Sequence, residues 1–102
     1  MQTENMAAIA STTTIATPHA AKYLAQLCKH FDHKCPVTVS GDTGQITFTI
    51  GRCDLKSEAE VLTISVTATE PAELEPLKDV VIRHLVRFAF SEELAIDWKD
   101  KG

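Results

Sequence analysis

The sequence has no apolar run approaching the roughly 20 residues needed to cross a bilayer, which excludes a membrane-spanning helix. A basic excess is also missing: 10 Lys and Arg stand against 14 Asp and Glu, for a net charge of −4. Phosphate affinity needs the opposite balance, so nucleic acid is not an expected partner. The segment from Met1 to Ala10 carries no basic region followed by an apolar core and does not read as a secretory signal. The expected location is therefore the cytoplasm. Three cysteines cannot all pair within one monomer, and a reducing compartment keeps them as thiols. No internal repeat and no linker divides the chain.

What is present fits one domain. A chain of 102 residues buries roughly 60 to 70% of its unfolded surface, enough for one core without a staple. Residues 1–11 are rich in Ala, Thr and Ser and are expected to form a mobile tail, leaving 12–102 as the domain. Thr12 to Ala16 is a β-branched run that reads as an edge strand. Thr17 as cap and Pro18 at the first helical position start a helix that runs to about Lys34 and stops before Pro36. Val37 to Val39, a turn over Gly41–Gly44, and the alternation from Gln45 to Ile50 predict a hairpin with Ile46, Phe48 and Ile50 on one face. Arg52 to Leu55 reads as a short strand and Lys56 to Glu60 as a charged loop. Val61 to Thr67 alternates again, with Leu62, Ile64 and Val66 inward. A turn over Glu70–Glu75 leads to a second helix from Pro76 to about Phe90, and Leu94, Ile96 and Trp98 mark a last strand. The fold class is α+β: a two-layer sandwich with a mainly antiparallel sheet, two helices on its apolar face and a Thr-coated open face.

The chemistry is concentrated in the first helix, where three of the four histidines and two of the three cysteines fall. At about 100° per residue, Ala20, Leu24, Leu27, Cys28 and Phe31 form the core stripe, and His19, Tyr23, Gln26, His30 and His33 a second one. Cys28 lies nearly opposite His30, so the Cys-x-His-x-x-His-x-Cys spacing is no four-ligand box on a helix. His30 and His33, at i and i+3, could share one metal with a third ligand from elsewhere; solvated side chains are the ordinary alternative.

On the second helix Leu74, Leu77, Val81, Leu85 and Phe88 define a buried face with His84 in its middle. A buried imidazole must find a hydrogen-bond partner. Facing the first helix, it could meet Cys28 as a thiol–imidazole pair, or it could bond a backbone carbonyl, Tyr23 or a threonine hydroxyl. Arg83 and Arg87 flank it as a candidate anion site, although Asp79 offers Arg83 an ordinary i, i+4 ion pair. Ile82, Val86 and Ala89 form an apolar strip on the far side, a candidate homodimer or partner contact.

Ala16-Thr17-Pro18-His19-Ala20-Ala21-Lys22-Tyr23-Leu24, Gln26-Leu27-Cys28-Lys29-His30-Phe31 with His33-Lys34, and Asp79-Val80-Val81 with His84-Leu85 and Arg87-Phe88-Ala89-Phe90 resemble the bacterial DUF2218 family over about Thr12 to Trp98. The resemblance implies a compact fold of the TATA-box-binding-protein-like type, no established activity, and an association with iron or siderophore handling. Ser91 stands where relatives often carry a basic residue. The positions matching the motif make Cys28, His30, His33, His84 and Arg87 the candidate ligand-binding residues, with His30 and His33 as candidate metal ligands. Three readings follow: a non-catalytic ligand-binding or accessory module, with no cofactor assigned; a dimerisation module without a small ligand; and a small thiol enzyme using Cys28 or Cys35 with His84 as base.

Overall fold

The computed structural model describes residues 9–89 and 92–101. The first eight residues of the expected tail, together with Phe90 and Ser91, lie outside the described residues. The elements run β1 (Ala10–Ala16), α1 (Ala20–Phe31), β2 (Val37–Ser40), β3 (Thr43–Phe48), β4 (Gly51–Glu58), β5 (Val61–Ala68), a single 3₁₀ turn (Pro71–Glu73), α2 (Leu74–Phe88) and β6 (Lys99–Lys101). The strands form one antiparallel sheet in the order β2-β3-β4-β5-β1-β6. Both helices cover one face of it, so the α+β class expected from the sequence is the observed one.

Period-2 alternation accounts for the layering. In β5, Leu62, Ile64, Val66 and Ala68 are buried beneath the helices, while Thr63, Ser65 and Thr67 face outward. Their cross-strand partners in β4 are Ser57, Leu55, Cys53 and Gly51, all buried. Leu24, Leu27, Cys28 and Phe31 of α1 and Leu74, Leu77, Val81 and Leu85 of α2 close the core from above. The open face carries Thr12, Thr14, Thr43, Thr47, Thr63 and Thr67, crossed along β4 by Arg52, Asp54, Lys56 and Glu58. Gln45 and Arg52 both donate to Asp54, at 2.9 and 3.0 Å.

Several expected boundaries move. β4 extends through Lys56 to Glu58, because its charged residues alternate onto the wet face while Ser57 stays buried. The first hairpin turns over Gly41 and Asp42 alone; Thr43 and Gly44 already pair with Ser40 and Val39. Gly41 supplies the positive φ, +58°. Helix α1 begins at Ala20, and Thr17 acts one step earlier, its Oγ1 accepting the His19 N–H at 3.1 Å. Helix α2 begins at Leu74, with Pro76 in the first turn, where the missing N–H leaves no helix bond unmade.

The largest correction concerns β1. It is not an edge strand: β5 pairs along one side and β6 along the other over Ala10–Thr12. The inward-facing Ser11 and Thr13 are buried because the returning C-terminal segment lies against them. Ser11 donates to Asp100 at 2.7 Å, and the Asp97 N–H donates to Thr13 Oγ1 at 3.2 Å. Leu94, Ile96 and Trp98 do alternate inward, yet pairing starts only at Lys99. Lys78 of α2 holds this return, donating to Asp100 at 2.8 Å and Glu75 at 2.9 Å beneath the Trp98 ring. Burial pushes the Lys78 ammonium toward neutrality, but the two carboxylates override it and keep it charged.

Candidate functional site

Two helix faces meet at an aromatic cluster. The His84 ring lies 4.6 Å, centre to centre, from His30 and 4.9 Å from Phe31; His30 in turn lies 5.0 Å from Phe31 and 5.7 Å from Phe88. The second helix therefore presents its histidine to the first, as the spacing predicts. It does so from the margin of the core rather than its centre: His84 is half-buried, while Val81 and Leu85 beside it are fully covered. Its hydrogen-bond partner is local. Nδ1 donates to the Val80 carbonyl one turn back, at 2.6 Å, so in the neutral ring Nε2 is the acceptor nitrogen.

His30 keeps one side in solvent and the other against these rings. Burial there holds its pKa below 6.5, and electrostatic repulsion from His84, Lys34, Arg87 and His33 adds to the effect. The unfolded chain thus takes up this proton before the folded one does. Stability is complete above pH 6.5, falls as the pH drops through 6.5 toward the lowered folded value, and levels off below it. Urea midpoints between pH 7.5 and 5 test this: His30→Gln is expected to flatten the slope, and an unchanged slope would refute the assignment.

Of the five candidate ligand residues, His30 and His84 are in contact, and Arg87 and His33 act on His30 through charge. Cys28 belongs elsewhere. It is 2% exposed, and its Sγ packs on Gly44 so closely that a Cβ there would lie 2.6 Å away. Its electrostatic neighbour is Cys53, and burial raises the pKa of both thiols. That is the reverse of an activated nucleophile, so the structure removes the Cys28–His84 pair. Cys35 is half-buried at the helix exit, and all three cysteines are free.

The His30/His33 metal pair finds no third ligand among the described residues. Helix α1 ends at Phe31, and His33 stands in the helical turn that follows it, where the Cys35 N–H still donates to the Phe31 carbonyl at 2.8 Å. Among the described residues no three His, Cys, Asp or Glu side chains gather around a common point. On the far side of α2, Ala89 is 2% exposed and part of the core, and Ile82 is half-covered in a recess shared with Trp98. Of the expected strip only Val86 stands free, 45% exposed. Arg83 pairs with Asp79 at 3.4 Å, as its spacing predicts.

A second polar cluster escaped sequence reasoning. Tyr23, 2% exposed, donates its hydroxyl to the Glu92 carboxylate, which also accepts from Thr17 Oγ1 at 3.0 and 3.1 Å. The bond from Tyr23 holds Glu92 below the usual carboxylate range, with Thr17 and the nearby His19 assisting. Burial and the same carboxylate push Tyr23 up to about 12. The only available signal was Tyr23 on the polar stripe beside the core; nothing local pointed to an acid 69 positions away.

Residues 12–99 match the pattern of a bacterial family described as "Uncharacterized protein conserved in bacteria (DUF2218)". The chain belongs to the DUF2218 family. Among solved structures, this DUF2218 protein is similar to PA4090 from Pseudomonas aeruginosa, determined by NMR, at 33% identity and a TM-score of 0.75. The likeness covers 89% of this chain and 95% of that one. No curated protein matches the chain. Among the described residues no helix is long and apolar enough to cross a membrane.

Proposed function

We propose that this DUF2218 protein is a non-catalytic binding module that receives an anionic ligand at the rim of the interhelical histidine cluster. One observation carries the reading: in a chain of net charge −4, the two fixed cations Lys34 and Arg87 both act on one imidazole, His30, at the interhelical cluster. Lys34 and Arg87 supply fixed charge, Arg87 with a planar fork suited to paired oxygens, while His30 and His84 offer ring faces and edges. The buried, unactivated Cys28 speaks against thiol chemistry. The family resemblance directs the choice of ligand toward an iron chelate, whose peripheral oxygens are anionic and suit such a rim.

Titration of the full chain with a diamagnetic gallium(III) citrate complex, followed by NMR, tests the proposal. Saturable shifts at His30, His84 and the Arg87 side chain are expected. Arg87→Gln should weaken binding about tenfold, the share of one charge-assisted contact. Shifts confined to the open sheet face, or none at all, would overturn it.

A further inference from the structure

We propose that His30 and His84 form a two-imidazole site for a borderline divalent transition-metal ion, such as zinc(II), nickel(II) or copper(II), with its remaining coordination positions open to solvent. The site joins one residue from each helix and differs from the His30/His33 pair suggested by sequence spacing. Two imidazoles on one ion, at metal–nitrogen distances of about 2.0–2.1 Å, put their ring centres roughly 5 Å apart. The observed separation is 4.6 Å, with the planes tilted by 43°.

The outer connection of His84 is the one that metal-bound histidines use. Its Nδ1–H is committed to the Val80 carbonyl at 2.6 Å, so Nε2 is the free donor and the ring is already oriented. His30 is held against Phe31 and Phe88, which restricts its ring as well. Imidazole nitrogens select borderline ions over calcium or magnesium. The positive charges of Lys34 and Arg87 weaken the hold on a bare cation and favour anions in the open positions. The inference shares its cluster with the proposed anion site but requires only the metal.

The test is calorimetric and NMR titration of the full chain with zinc chloride in a non-coordinating buffer. One equivalent should bind and move the ring resonances of His30 and His84. His30→Gln and His84→Gln should each weaken binding at least tenfold, while His33→Gln and Cys35→Ser leave it within about twofold. Should His84→Gln disturb folding, His30→Gln decides, because its ring reaches the surface. Loss of binding in Cys35→Ser or His33→Gln, or unchanged binding in His30→Gln, would overturn the site. Zinc binding without gallium citrate binding sustains this inference and sinks the anion reading; the opposite result does the reverse.

Discussion

Gly51→Ala is expected to destabilise the protein by roughly 2–6 kcal/mol, from about 1–3 of backbone strain and a similar overpacking term. Gly51 begins β4 at φ +155° and pairs with Ala68. A Cβ there would collide with the Thr67 carbonyl oxygen and would lie 2.8 Å from Ala68 Cα and 2.7 Å from Leu77 Cδ2. The first two are backbone atoms of the neighbouring strand, so relief requires β4 and β5 to separate. Leu77 is wholly buried and cannot retreat. Such a loss is a large share of the 5–15 kcal/mol that holds a typical domain together. Gly41→Ala is the control: its φ is also positive, +58°, but nothing lies within 4 Å. It should cost about 1 kcal/mol. Urea denaturation of both variants checks the pair, and equal losses would show that strand contact at Gly51 is not the cause.

Tyr23→Phe should produce the second largest effect, about 1.5–3 kcal/mol, the range for a hydrogen bond to a charged acceptor. In a domain of this size that is on the order of 10 °C in Tm. The loss should be felt first where Glu92 starts the C-terminal return across β1. Trp98 is the single tryptophan and lies on that segment, so its fluorescence reports undocking directly. The wild-type protein offers an independent reading, since Tyr23 is also the single tyrosine. Its hydroxyl titrates near 12 when folded and near 10 when unfolded, so the stability it confers is intact below pH 10 and disappears as the pH rises toward 12. Phenolate absorbance that titrates near 10 in the folded protein, or a Tyr23→Phe variant as stable as wild type, would remove the role given to this bond.

The same local rules that placed Leu62, Ile64 and Val66 inward also placed the core stripe of α1, because alternation and helical spacing depend only on neighbours in the chain. They even set the direction of His84, which follows from its angular position among Val81, Leu85 and Phe88. They misjudged its depth, since the rim of an interhelical groove and its floor differ by a few ångströms that periodicity does not encode. Cys28 illustrates the same limit from the other side: its stripe is correct, yet Gly44, which has no side chain, let α1 settle with the thiol over β3, away from α2.

By itself the sequence determined the α+β class, the amphipathic faces of both helices and the period of β3 and β5, all consequences of residues close in the chain. Only the tertiary structure decided that β6 closes the flank of β1, that Glu92 meets Tyr23, and that the His30 ring meets the His84 ring. Those contacts join residues 54 to 91 positions apart. They depend on where segments distant in the chain meet in the folded state, and no local pattern carries that information.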